Sequence, residues 1–453
     1  MIPIKTVVDK ANTKITAGGL TDLEYTQLSS IGVFLDRTGP EVVANFASLP
    51  SAANNEGIMY YVTNENVYYF SDGTYWRKDF SSSLGTVSTI MYAWGSSSNG
   101  KLGDNTTTDK SSPVTVVGGI TTWSQTSAGG AHSLAVTSTG IAYAWGSNGT
   151  GRLGDNTTTA RSSPVTVVGG ITNWSLLSAG DQHSLGLTST GIAYAWGYNT
   201  YGRLGDNTTV AKSSPVTIVG GITNWSQLSA GFSHSLGITS TGIAYAWGYN
   251  TYGRLGDNTT STRSSPVTVV GGITTWSLAS AGFFHSIGLT STGIAYAWGY
   301  GSNGLLGDNT DVSKSSPVTV VGGITTWSQA SVGGGHSLAV TSTGIAYAWG
   351  LNTGGRLGDG TIVVRSSPVT VVGGITTWSQ VSTNAAGVHS LGLTSTGIAY
   401  AWGTNTNGRL GDNTTTARSS PVTIVGGITT WSQVSAGSSH SSGIIYTTTK
   451  GFA

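Results

Sequence analysis

The sequence predicts an all-β protein whose main body is a seven-bladed β-propeller. Three observations carry that prediction. The Trp of an Ala-Trp-Gly triplet recurs as Trp94, Trp145, Trp196, Trp247, Trp298, Trp349 and Trp402, at a spacing of 51 residues five times and then 53. A second Trp keeps step from Trp123 to Trp431, as do seven prolines from Pro113 to Pro421 and every histidine of the chain. Within each copy, four short apolar or β-branched runs are bounded by Gly, Ser, Thr and Asn, and no 3.6-residue periodicity appears. A fixed period of tens of residues marks a repeat architecture. Four-stranded sheets repeated radially form a propeller, for which about four to eight blades are usual.

Residues 1–89 precede the repeats and differ from them in composition, with nine acidic and six basic residues. Residues 1–56 read as an attachment or oligomerisation segment, in which Thr21-Asp-Leu-Glu24 has the pattern that caps a short helix. Residues 57–80 read as a three-stranded meander. Gly-Ile-Met-Tyr-Tyr-Val, Val-Tyr-Tyr-Phe and Thr-Tyr-Trp-Arg-Lys are its strands, with turns at 64–66 and Asp72-Gly73. Residues 81–89 form a Ser- and Thr-rich linker, 90–446 the propeller and 447–453 a tail.

The second repeat shows how a blade is written. Strand A begins at Trp174 and strand B at His183; strand C is the Ala-Tyr-Ala-Trp run ending at Trp196, and strand D carries Pro215. The repeats begin on a C strand at Ile90–Trp94 and end on a B strand at His440–Tyr446. Six blades are therefore complete, and the seventh takes A and B from the C-terminal side and C and D from the N-terminal side. Closure of this kind hides sheet edges that invite aggregation.

The repeat resembles that of the regulator of chromosome condensation family, a seven-bladed propeller. Leu177-Ser-Ala-Gly-Asp-Gln-His183-Ser-Leu carries its A-G-x-x-H-S-L segment, and Trp145-Gly-Ser-Asn-Gly-Thr-Gly-Arg-Leu-Gly154 carries its W-G-x-N-x-x-G-x-L-G segment. The resemblance recurs seven times and implies the fold, with guanine-nucleotide exchange as one activity. A second resemblance, over Leu49–Trp76, is to structural proteins of tailed bacteriophages.

Charged residues are 9% of the chain, against roughly a quarter in ordinary soluble domains. The net charge of +1 leaves no electrostatic footprint for nucleic acid or an anionic membrane. With no cysteine there is no disulfide and no thiolate metal site. The N-terminus lacks the basic and apolar regions of a signal peptide, and no apolar run is long enough to span a membrane.

Two residue sets repeat with the blades. His132, His183, His234, His285, His336, His389 and His440 read as one hydrogen-bonded structural histidine per blade, because sevenfold spread separates ligands that a metal site must bring together. Asp104, Asp155, Asp206, Asp257, Asp308, Asp359 and Asp412 follow a glycine and read as turn-stabilising carboxylates. The Asn-Thr-Thr segments match the glycosylation sequon and, without a signal peptide, are read as unmodified. Nothing marks an enzyme, and no cofactor is implied.

The copies differ at the A–B tips and at the start of the C–D loops, which an antiparallel blade places on one face. Three consecutive blades carry aromatics there: Tyr198 and Tyr201, then Phe232, Tyr249 and Tyr252, then Phe283, Phe284 and Tyr300. Loops on a rigid scaffold are where binding concentrates. Together with the phage resemblance, this predicts a virion fibre or spike component, external on the virion and made in the host cytoplasm. It is expected to bind other virion proteins through residues 1–89, to trimerise, and to hold a host-surface receptor or glycan on the aromatics. A virion structural role without receptor binding, as head decoration or tail adaptor, and an exchange-factor-like propeller are the alternatives.

Overall fold

The computed structural model describes residues 41–43, 59–62, 67–71, 76–77 and 87–448. The expected helix cap at Thr21, both turns of the meander and most of the linker lie outside the described residues. The chain divides into two units, residues 1–88 with 447–453, and residues 89–446. In the first, β1 (Glu41–Val43), β2 (Met59–Val62), β3 (Val67–Ser71) and β4 (Trp76–Arg77) form one sheet in that order. Strands β2, β3 and β4 pair antiparallel in chain order. Strand β1 adds a parallel pairing to β2, with Glu41 opposite Tyr60, which sequence periodicity did not indicate.

The second unit is the propeller. Strands β5 (Val87–Gly95) and β6 (Lys110–Thr115) lead into the first complete blade, β7 (Trp123–Ala128), β8 (His132–Thr137), β9 (Ala142–Gly146) and β10 (Arg161–Thr166). Five further blades run from β11 (Trp174–Ala179) to β30 (Arg418–Thr423). Strands β31 (Trp431–Ala436) and β32 (His440–Thr448) then pair with β5 and β6 in the order β31-β32-β5-β6. The ring therefore closes as the sequence predicts. Among the described residues no helix is long and apolar enough to cross a membrane.

Each blade is an antiparallel ladder, as in the pairings of Ser178 with Leu185, Leu185 with Ala195 and Ala195 with Val216. The D strand is outermost and carries the proline, whose missing N–H costs nothing on an edge and blunts it against further pairing. The A strands are innermost, and their free edges are occupied by side chains of the neighbouring blade. Ser127 Oγ accepts the N–H of Ala179, and equivalent bonds continue through Ser178, Ser229, Ser280, Ser331, Ser382 and Ser435 at 2.9–3.1 Å until the circle closes on Ala128. Gln125 adds a two-point bridge, donating to Leu177 O and accepting from Leu177 N, each at 2.8 Å. Blades two and four carry Leu176 and Leu278 in place of this glutamine.

The apolar core lies between blades. Leu134, Val136, Ala144 and Leu153 of blade one pack on Trp174, Leu177 and Trp196 of blade two, and the same cluster recurs around the ring. Trp174 meets Tyr194 edge-on at 5.4 Å and Trp196 at 5.9 Å. A blade alone would leave these side chains in water, at roughly 1.5–3 kcal/mol for each large one.

Removing residues 431–453 deletes two strands of the closing blade and exposes the β5 edge together with the face of Trp94. The truncated chain is expected to aggregate or to lose its cooperative thermal transition. A monomer that melts within a few degrees of the full chain, read by calorimetry with light scattering, would show that closure is dispensable.

Candidate functional site

The seven histidines are fully buried and bound into a closed circle. His132 Nε2 bonds Ser184 Oγ of the next blade, and the series continues through His183, His234, His285, His336 and His389 to His440, which meets Ser133, all at 2.8–2.9 Å. Each serine spends its only proton on a backbone carbonyl in the C–D loop of the preceding blade, as Ser184 does on Arg152 O at 2.8 Å. The hydroxyl must then accept from the imidazole, which fixes the proton on Nε2. The same carbonyl also accepts the indole N–H of the AWG tryptophan, Trp196 Nε1 to Arg152 O at 2.9 Å. This arrangement ties the serine's proton to a carbonyl and leaves no base free to activate its oxygen.

The imidazole Nδ1 atoms are buried without a partner. Glycine leaves room for the ring of His132: a Cβ on Gly129 would lie 2.8 Å from Nδ1 of His132 and 2.7 Å from Gly180 O. Burial holds the histidine pKa values well below the usual range, with His285 pushed down to about 3, and neighbouring arginines add to the effect.

The seven aspartates organise their own loops. Asp155 accepts the N–H of Thr157 at 3.1 Å, its hydroxyl at 2.7 Å and the amide of Asn148 at 2.9 Å, and pairs with Arg161 at 3.1 Å. Burial raises its pKa, but the bonds from Thr157, Asn148 and Arg161 outweigh burial and hold it below the ordinary value. Asn156 beside it takes φ +60°, a left-handed conformation that Asn tolerates. Asp308 bonds Thr310 in the same way. Among the described residues no three potential ligands come together to hold a metal ion.

The eight aromatics lie on the face of the A–B tips and C–D loops, hereafter the tip face, as a Tyr201–Tyr249 pair and a group of Phe232, Tyr252, Phe283, Phe284 and Tyr300, joined to each other and to Tyr198 through two arginines. Tyr201 lies 4.4 Å from Tyr249 across a blade boundary, and Tyr252 lies 4.6 Å from Tyr300 across the next. Phe232 stacks on Phe283 at 3.7 Å, Phe283 meets Phe284 at 4.1 Å, and Phe284 meets Tyr252 at 6.1 Å. Tyr201 and Tyr252 are the most exposed, at 40% and 38%, and the other six are half-buried.

Two arginines join the patch from below. Arg203 lies 4.8 Å from the centre of Tyr198 and 5.7 Å from Tyr201. Arg254 lies 4.9 Å from Tyr249, 5.7 Å from Tyr252 and 5.8 Å from Phe284. Each donates to a tip carbonyl of the next blade, Arg203 to Phe232 O at 2.8 Å and Arg254 to Phe283 O at 2.7 Å, and each Nε is buried without a partner. Burial pushes both guanidinium groups down to about 10. Sequence reasoning passed over them because Arg fills this Gly-Arg-Leu-Gly position in five of seven copies, and only neighbouring aromatics distinguish these two.

The tips are also linked to one another. Backbone bonds run from Gly130 to Gly180, Asp181 to Gly231, Phe232 to Gly282, Phe283 to Gly333, Gly334 to Gly387 and Ser438 to Gly129. At the two-residue insertion of blade six the pattern changes. Asn384 Nδ2 reaches past blade seven to Ala128 O of blade one at 3.0 Å, and Ala385 is buried beneath it.

The RCC1-like domain profile matches residues 78–335, more than half of the chain, and regulator of chromosome condensation (RCC1) repeat profiles match 327–356 and 396–444. The chain belongs to the RCC1-like domain family. It is 32% identical to the ultraviolet-B receptor UVR8 of Arabidopsis thaliana over 61% of this chain and 64% of that one. It is also 32% identical to the human E3 ubiquitin-protein ligase HERC2, over 79% of this chain and 8% of the ligase. The chain thus spans less than two thirds of either relative. Among solved structures, human WBSCR16 superposes with a TM-score of 0.71 at 20% identity, covering 79% of this chain and 98% of that one. Yeast RCC1 (Prp20) bound to Kap60 superposes with a TM-score of 0.68 at 20% identity, covering 80% and 90%. These structures share the fold.

The family overturns the virion reading. Its matched relatives are plant and mammalian proteins, so a phage fibre, spike, head-decoration or tail-adaptor role does not stand. The expected virion partners through residues 1–89, the homotrimer, the host-surface receptor or glycan and the location on a virion fall with it. The low charge and the abundance of Asn, Thr and Gly follow from the blade itself. Six of the seven long loops are built on an Asp–Asn–Thr turn and the other on Asp359-Gly360-Thr361, with Gly and Ser at the sharp corners, so Asn, Thr and Gly accumulate with the repeats.

The histidine circle makes the RCC1-like ring acid-sensitive. Folded-state pKa values lie below the unfolded 6.5, so the stability is complete above pH 6.5 and is lost as pH falls toward the folded values, at up to about 1.4 kcal/mol per pH unit for each histidine. The melting temperature should drop steeply between about pH 6.5 and about pH 5, with uptake of several protons on unfolding. A flat profile over that range, by calorimetry in matched buffers, would show that the imidazoles already carry protons in the folded ring.

Proposed function

We propose that the chain is a regulatory propeller that acts by docking a partner protein on its tip face, in the manner of a guanine-nucleotide exchange factor. The observation that carries this reading is the concentration of apolar surface. Between residues 89 and 446, the exposed large apolar side chains are Tyr201, Val210, Tyr252, Val312, Ile362, Val363, Val364 and Tyr446. All but Tyr446 lie in C–D loops on the tip face. The opposite face repeats Thr-Ser-Thr-Gly six times. Exposed apolar patches on a soluble ring are recognition surfaces more often than accidents.

The family supports the same reading. Prp20p of Saccharomyces cerevisiae, which shares the fold, is described with binding properties to Gsp1p and histones, and with Kap60 bound. The ubiquitin-ligase activity named for HERC2 does not come with the resemblance, because 8% of that protein is represented. The chain acts by binding rather than by covalent catalysis, since its histidines and their serine partners are consumed in the lock between blades.

Release of a fluorescent GDP analogue from a panel of small GTPases tests the proposal. The full chain in substoichiometric amount should accelerate release from at least one by about tenfold or more. Tyr201→Ser with Tyr252→Ser should abolish the effect without lowering the melting temperature. Ser189→Ala with Ser240→Ala, exposed on the opposite face, should leave it intact. No acceleration with any member of the panel overturns the exchange reading.

A further inference from the structure

Charge is distributed over the ring as unevenly as apolar surface. Between residues 90 and 446 every charged residue except Asp181 lies between the end of a C strand and the first residue of its D strand, and Asp181 sits on an A–B tip. The opposite face carries none. Six loop aspartates pair with the Lys or Arg that opens the D strand: Asp104, Asp155, Asp206, Asp257, Asp359 and Asp412. That leaves seven cations on the tip side against the four carboxylates Asp109, Asp181, Asp308 and Asp311.

Arg203 and Arg254 are the cations under the aromatic patch, and neither forms an ion pair among the described residues. Their exposures are 2% and 1%, so water does not neutralise them at close range. Their positive field emerges through a layer of tyrosine and phenylalanine, which screens it less than water would. Each also keeps a buried Nε–H without an acceptor. A surface of this kind favours an incoming segment that is apolar enough to cover the rings and negative enough to answer the arginines.

We propose that the patch on blades two to four receives an acidic protein segment, with carboxylates interspersed among apolar anchors, as the part of the partner that docks on the tip face. This deepens the docking reading and rests on it. A nucleic acid fits less well. Its closely spaced phosphates need a series of exposed cations, and exposed cations beside the patch such as Arg263 and Lys212 are spent on loop aspartates, whereas an apolar segment with scattered carboxylates covers the rings as well.

Fluorescence anisotropy of the full chain with three short labelled peptides tests the proposal. One alternates Glu with Leu and Trp; in the others Gln or Lys replaces Glu. The acidic peptide should bind at least about tenfold more tightly than the Gln peptide, and this advantage should shrink between about 50 and about 300 mM salt. The Lys peptide should not bind. Arg254→Met should bring acidic-peptide binding down toward that of the Gln peptide; Tyr201→Ser with Tyr252→Ser, at exposed positions, should remove acidic-peptide binding and keeps the test valid if Arg254→Met fails to fold. Equal binding of the Gln peptide, no binding of any peptide, or full competition by an oligothymidine overturns the proposal. Exchange activity without acidic preference leaves docking intact and removes this inference. Acidic preference without exchange activity removes only the exchange reading.

Discussion

The structure depends on a single carbonyl in each C–D loop. In blade one it is Arg152 O, which accepts both the Ser184 hydroxyl and the Trp196 indole of the next blade, while Ser184 in turn accepts from His132. Three side chains and one backbone group thus satisfy each other where no water reaches, and each relay crosses a blade boundary. Buried polar groups left unpaired cost about 1–3 kcal/mol each, so a blade displaced from its neighbour would lose several such bonds at once. Gly154, at φ +71°, lets the loop lie on the Trp196 ring, where a Cβ would sit 2.8 Å from the indole nitrogen. The A-G-x-x-H-S and Arg-Leu-Gly segments are the two halves of that contact, which explains why they recur together.

With sheet-to-sheet contacts fixed by these relays, and the inner strand edges covered by the Ser127 series, most tips join their neighbours through backbone bonds that do not depend on side-chain identity. They are free to differ. Phe232 and Phe283 stand where other blades carry Gly130, Gly334 or Ser438, and Phe284 where they carry Ala131, Gly335 or Ser439. The aromatic patch is therefore a local elaboration over an invariant chassis, and its arginines belong to both. Their carbonyls hold the lock and their guanidinium groups face the rings.

Much of the fold is legible in the sequence because seven copies report the same physics. The period, the strand runs and the split closing blade follow from residue spacing alone. The pairing of Tyr201 with Tyr249 and of Tyr252 with Tyr300 follows from consecutive copies carrying tyrosines at equivalent positions. What the sequence hides is pairwise. The histidine at 183 reads as structural, but its partner Ser235 lies in another blade. Arg203 and Arg254 look like any loop arginine until Tyr198 and Tyr249 are seen beside them. Asn384 reads as an insertion, and its bond to Ala128 joins positions that no periodicity relates. The virion reading erred for a related reason: it leaned on Leu49–Trp76, outside the repeats, when the repeats from residue 78 onward carry the family.

The split blade also gives the ring a mechanical grain. Strands β5 and β32 are antiparallel neighbours, and the chain enters by the first and leaves by the second on the same side of the sheet. A pull on the two ends would load their ladder at its end, parting hydrogen bonds one after another rather than all together as in shear. Both strands run nine residues, against five or six in the other blades. The extra length lies where such a zipper would begin to open, so the ring is reinforced at its seam.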